Sequence, residues 1–258
     1  MHIVVPIKLA PDLVEELEID AGGAALDRTF LRLIINEFDD HAIEQALLLK
    51  ERGGGQVTIL APDLEGADDV LYTAAAKGAD RLIKLTGDFS SGVNCHALAR
   101  TLSKAIGDLH PDLVLTGVQA HDDLDGAVGP LLAEYLRMPY LGYVAGVTVS
   151  DAKCIARKEY PGGLVAEMEV ALPAVFGIQA AEKPPRYVVT SLITQAMKSA
   201  KIEEIESGEF DSGGAAPVER MSRLEATTHA EMIEGSVDQV ADKLVAVLRE
   251  RGLLASRG

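Results

Sequence analysis

The feature that most restricts the fold is an alternation within the first 140 residues, where short apolar runs recur between stretches whose apolar residues fall at helical spacing. This is the pattern of βαβ units, and right-handed crossovers between parallel strands put helices on both faces of a sheet. HIVVPIK (2–8), VTILA (57–61), RLIKL (81–85) and DLVLTG (112–117) read as buried strands. Between the first two, DDHAIEQALLLKERG carries Ala42, Ile43, Ala46, Leu47 and Leu49 on a broad apolar face, with Asp39 or Asp40 at its start and Gly53 at its stop. GADDVLYTAAAKGAD repeats the device with Gly78, VNCHALARTLSKAIGDLHPD places apolar residues at 93, 97, 98, 102, 105 and 106, and AVGPLLAEYLRMP ends before Pro139. The expected fold class is α/β: a three-layer αβα domain with a mostly parallel sheet and a ligand crevice at the carboxyl ends of its strands.

From residue 140 the texture changes. GYVAGVTVS, KCIARKEY and LVAEMEVAL are strand-like runs separated by the turn signals SDA and PGG, which predicts a β-meander extending the sheet and ending in AVFGIQ. After EKPPRY the chain loses periodicity through residue 233 and reads as a linker or as an arm lying on another protein. SVDQVADKLVAVLRERG then predicts a closing amphipathic helix, with Ser236 as N-cap and Gln239 three residues later. The expected division is a nucleotide-binding domain over 1–183, followed by a loop and C-terminal arm over 184–258.

Charge and cysteine usage narrow the classes. Lys and Arg total 24 against 40 Asp and Glu, a formal net charge of -16, so a nucleic-acid backbone or an anionic membrane would repel most of this surface. Cys95 and Cys154 stand far apart with no Cys/His cluster, which points away from a disulfide framework or structural metal and fits a reducing cytoplasm. The start MHIVVPIKLAPD lacks the apolar stretch of a signal peptide, and no segment approaches the roughly 20 apolar residues of a membrane span.

The strongest local site candidate is the loop GVQAHDDLDGAVGP after the fourth strand, where Gly117, Gly126 and Gly129 bracket aspartates and lead into a helix. Glycines permit close backbone approach, and a helix start suits a phosphate; a tight strand-to-helix turn is the plain alternative. The loop has neither the P-loop lysine nor the spacing of a dinucleotide fingerprint. Asp122, Asp123 and Asp125 match no metal-loop spacing and read as caps, and His121 reads as a turn residue rather than a general base. Asn36 stands where an extended segment enters a helix, so it is either a cap or a contact to adenine or ribose near the crevice. The cysteines read as small buried apolar groups.

With these residues in place, the chain resembles the beta subunit of electron transfer flavoprotein over nearly its whole length. VVPIK, NEFDDHAIEQALLLKE, TAAAKGADRLIKL, PDLVLTGVQAHDDLDGAVGPLLAEYL with MPY, EYPGGLVAEMEVALPAV and KPPRY carry the resemblance. MSRLEATTHAEMIEGSVDQVADKLVAVL is similar to the C-terminal arm of the subgroup serving bacterial methylamine-type dehydrogenases. The resemblance implies a Rossmann-like αβα domain, an alpha-subunit partner embraced by the arm, FAD held mainly by that partner, a structural AMP in this chain, and a flavin-dependent dehydrogenase as transient donor. It implies an electron carrier rather than an enzyme. By position the nucleotide contacts would be Pro6, Asn36, Glu37, Phe38, Asp39, Ala61, Pro62, Gly117, Val118, Gln119, Ala120, His121, Asp122, Asp123, Leu124, Asp125, Gly126, Ala127 and Val128, with Leu13 toward the flavin. Many members carry Asn-Gln-Thr where this chain has Gly126, Ala127 and Val128, which shifts the expected contacts to the backbone. The VGP at 128–130 is similar to an electron-bifurcating branch that holds a second FAD in place of AMP. In the partner-recognition loop after Pro-Arg-Tyr the position of the family's anchoring leucine falls on Thr190 here, with Leu192 and Ile193 close by, and Leu192 is the expected anchor because a small apolar contact suits a transient encounter. A stand-alone nucleotide-binding enzyme and a nucleotide-sensing module of related fold are the rival readings.

Overall fold

The computed structural model describes the chain except for residues 88, 90–93, 124, 151–152, 209–212, 215, 225–231 and 255–258. Val93 and Leu124 therefore lie outside the described residues. Two compact units emerge, Met1–Glu219 and Arg220–Gly258.

In the first unit the strands are β1 (His2–Pro6), β2 (Leu9–Pro11), β3 (Leu33–Ile35), β4 (Gln56–Pro62), β5 (Arg81–Thr86), β6 (Leu113–Gly117), β7 (Tyr140–Ser150), β8 (Lys153–Tyr160), β9 (Leu164–Ala171), β10 (Ala174–Ile178) and β11 (Ile202–Glu206). Its helices are α1 (Glu37–Gly53), α2 (Ala67–Lys77), α3 (Cys95–Leu109), α4 (Val128–Leu136) and α5 (Thr190–Ser199). Among the described residues the main sheet has the order β11-β5-β4-β1-β6-β10-β7-β8-β9, parallel from β11 to β7 and antiparallel through β8 and β9. This is the Rossmann-like three-layer architecture expected. On one face α1 and α2 bury Ala42, Ile43, Ala46, Leu47, Leu71 and Ala74 against Ile3, Val5, Ile59 and Leu115. On the other, α3 and α4 bury Leu98, Leu102, Ile106 and Leu132 against Val4, Leu60, Ile83 and Val114. Neighbouring strand residues point to opposite faces, so continuous apolar runs such as IVV serve both layers at once.

Two parts depart from the sequence expectation. The run AVFGIQ does not close the meander: β10 inserts between β6 and β7, parallel to both, with Val175 and Phe176 fully buried. A strand buried on both faces reads as an apolar run wherever it lies, so its neighbours are not encoded in the run itself. The region after Arg186, expected as a loop without periodicity, carries α5 and then β11, which pairs with β5 from Ile202↔Leu82 to Glu206↔Thr86 and becomes the sheet edge. Its sequence, IEEIE, alternates too briefly and too acidically to stand out. In the second unit, α6 (Val237–Glu250) begins at Ser236 with the capping box to Gln239 that its sequence predicts, and carries no buried residue.

Candidate functional site

The chain turns back on itself at the centre of the sheet. After β1 it builds outward through β4 and β5, then returns so that β6 lies on the other side of β1. The carboxyl ends of β1 and β6 therefore diverge, which is where open α/β sheets leave a crevice. A crevice of about 370 Å³, mouth included, lies there. It is lined by Pro6 at the end of β1 with Ile7 and Lys8 just beyond it, Asn36 before α1 and Asp39 in its first turn, Thr116 and Gly117 at the end of β6, Val118 to Ala120 with Asp123 and Gly126 in the loop that follows, Val128 from α4, and Leu98 and Leu102 from α3.

Asp39 holds this junction together. It is buried, one oxygen accepts the Lys8 N–H at 2.8 Å, and the other accepts the Gly117 N–H at 2.8 Å. The carboxylate thus ties the ends of both central strands to the first turn of α1. It is not the N-cap expected from sequence: the helix starts at Glu37 and Asn36 occupies the cap position. Burial pushes Asp39 up to about 7, with the Lys8 and Gly117 amides only partly opposing the shift. Asn36 makes no cap bond with its side chain and instead donates its amide to the Gln119 carbonyl at 2.9 Å, across the crevice.

The glycines divide into two kinds. A Cβ on Gly117 would lie 2.5 Å from Asp39 Oδ1 and 2.9 Å from Asp39 N, and one on Gly129 would meet the Tyr140 ring at 2.9 Å. Both are required by packing. Gly126 has φ +60 and lines the crevice immediately before α4. Helix α4 has no side-chain cap and no acidic residue in its first turn, so the partial positive charge of its first amides is not met by its own side chains.

The loop in isolation shows no lysine, but the fold supplies one. Lys8 Nζ reaches Asp122 at 2.8 Å and Asp123 at 2.5 Å, more than a hundred residues away. Burial lowers the Lys8 pKa, yet the two carboxylates outweigh it and the net shift is upward, so the ammonium stays charged. Asp123 also accepts the Ala120 N–H at 2.8 Å, Asp125 accepts that of Ala127 at 3.2 Å, and His121 Nε2 donates to the Pro11 carbonyl at 2.7 Å. These side chains shape the loop.

Of the expected nucleotide contacts, Pro6, Asn36, Asp39, Gly117, Val118, Gln119, Ala120, Asp123, Gly126 and Val128 come together around the crevice. Glu37 and Phe38 stand in the first turn of α1, and His121, Asp122, Asp125 and Ala127 lie in the same loop without lining it. Ala61 and Pro62 close β4, one strand over. Leu13 is exposed in the segment after β2. Ile7, Lys8, Leu98, Leu102 and Thr116 line the crevice without having been singled out; the strand-end position of Lys8 after VVPI was the available signal. Thr190 and Leu192 are exposed at the start of α5 and Ile193 is half-buried. Cys95 and Cys154 are buried free thiols, pushed up by burial to about 12 and about 11.

A family model described as "Electron transfer flavoprotein domain" matches residues 25–209. The chain belongs to the electron transfer flavoprotein family. It is 31% identical to the electron transfer flavoprotein subunit beta of Methylophilus methylotrophus, covering 97% of this chain and 98% of that one. The corresponding subunit of Clostridium acetobutylicum is 32% identical over 97% of this chain and 98% of its own length. That of Syntrophomonas wolfei is 33% identical over 77% of each. The span matched by the electron transfer flavoprotein model takes in α1, the crevice loop, the meander, α5 and β11.

Proposed function

We propose that this chain is the beta subunit of a heterodimeric electron transfer flavoprotein, which accepts electrons from a flavin-dependent dehydrogenase and passes them to a downstream acceptor. End-to-end similarity to subunits of that name carries the reading. The role is that of an electron carrier and not of an enzyme. Bound FAD supplies the one- and two-electron chemistry; in this reading an alpha subunit holds most of it, and the segment around Leu13 faces it.

The crevice is read as the seat of a structural AMP. Its residues fit a mononucleotide: the amides opening α4 and the Lys8 ammonium suit a phosphate, while Asn36 and the backbone around Gln119 offer donors and acceptors for a base or sugar. Three aspartates near a phosphate would oppose it, but Lys8 offsets one of the two charges on Asp122 and Asp123, and Asp39 is largely neutral below about 7. A second FAD, as in the bifurcating type, rests only on the VGP run at 128–130. The exposed start of α5 is read as the surface that meets the dehydrogenase, and the C-terminal arm as similar to that of the subgroup serving methylamine-type dehydrogenases.

Size-exclusion chromatography of this chain alone and co-expressed with its alpha subunit tests the assembly. A stable flavin-bearing pair is expected. A chain that elutes as the same monomer in both cases contradicts the reading.

A further inference from the structure

Helix α1 turns its apolar side to the sheet, yet its polar residues at 41, 44, 45, 51 and 52 all bond to the short stretch 181–186. His41 Nδ1 accepts the Ala181 N–H at 3.2 Å and Gln45 Oε1 accepts that of Glu182 at 3.1 Å. Arg52 pairs with Glu182 at 2.5 Å. The contact with the most hydrogen bonds is at Arg186. Its backbone N–H donates to Glu44 at 3.0 Å, its Nε and Nη2 donate to the two Glu44 oxygens at 2.9 and 2.8 Å, and its Nη1 reaches Glu51 at 2.6 Å. Glu44 is 3% exposed, so this carboxylate is satisfied almost wholly by one residue. Burial would raise Glu44, but the Arg186 donors outweigh it and hold the carboxyl below its ordinary value.

Four residues after Arg186 the chain enters α5, which buries only Ala196 of its ten residues. A helix this short is marginal alone, and so small a buried face anchors it weakly. Its exposed side carries Val189, Leu192 and Met197, each about half exposed, with Tyr187 exposed just before it. The position of this apolar strip is set by the packing of α5 on α2, by β11 behind it and by the Arg186 fork ahead of it.

We propose that Arg186 is a positioning residue for electron transfer: by clamping the chain to Glu44 and Glu51 on α1, it fixes where α5 presents Leu192 to the dehydrogenase. This rests on the reading of α5 as the docking surface, and the test separates the two. Arg186→Gln is made in the heterodimer, with Arg186→Lys, which keeps the charge but loses the fork, as the variant to use if the first does not assemble. Amide exchange over 187–199 is expected to quicken by about tenfold or more while that of α4 stays unchanged. Dithionite reduction of the flavin should be unaltered. With a flavin-dependent dehydrogenase first shown to reduce the wild-type pair, KM for the carrier should rise about fivefold or more with kcat nearly constant. Unchanged exchange over 187–199 overturns the positioning role alone. Faster exchange with unchanged KM overturns that role together with the docking reading.

Discussion

Asp39 sits in the first turn of α1, where a carboxylate ordinarily caps or meets solvent, but its two oxygens accept amides from the ends of two different strands. Its pKa, about 7 against an ordinary 3.8, has a consequence for stability. Between those values the folded chain holds a proton that the unfolded chain has lost, so this residue's contribution is complete below 3.8 and falls as pH rises toward 7. Relative to Asp39→Asn, wild-type stability should therefore decline from pH 4 to 7, by on the order of 4 kcal/mol, and level off above. Urea unfolding of both proteins across that range measures it, and a difference that grows with pH contradicts the assignment. Gly117 faces the same carboxylate. Gly117→Ala places a methyl 2.5 Å from Asp39 Oδ1, and because backbone lies at 2.9 Å as well the strand or helix must shift. A loss of about 1–3 kcal/mol is expected from denaturant midpoints. The two thiols, both raised by burial, should resist alkylation at pH 8 until the chain is unfolded, as thiol labelling with and without urea would show.

Elements with long apolar periodicity were legible in sequence, and those defined by partners were not. β1, β4, β5 and β6, together with α1 to α4, lie within a few residues of where their patterns put them, because each must cover a sheet face with its own side chains. The excursion through β2 and β3 and the edge strand β11 are short and rely on backbone pairing for their form, which leaves little trace in composition. The polar ladder on α1 was hidden for a related reason: Glu44 and Gln45 look like solvent-facing residues until 181–186 is laid over them. In the candidate site the glycine-bracketed loop was visible as a local pattern, whereas Lys8 and Asp39 reach it only through strand order. At this scale the start of α5 carries a prediction of its own. Leu192, 47% exposed, contributes little to the packing of α5, so Leu192→Ala should leave the melting temperature nearly unchanged. It should slow dehydrogenase-driven reduction of the pair by about tenfold, the loss of a hot-spot contact of roughly 1–2 kcal/mol. Stopped-flow reduction at limiting carrier checks this, and a wild-type rate shows that the anchor lies elsewhere.

At the scale of the whole molecule, a nine-stranded sheet brings its chain reversal to one central crevice, a net charge of -16 leaves the surface strongly acidic, and the second unit carries a helix with no buried residue. The central crevice and an amphipathic helix with no buried residue are what the proposed reading uses, the first to seat a nucleotide and the second to engage another chain. The most direct measurement of that account is the nucleotide content of the purified heterodimer, released by denaturation and separated by chromatography. One FAD and one AMP per pair is the predicted result, and a pair that yields no adenine compound beyond the FAD contradicts the crevice as a nucleotide seat.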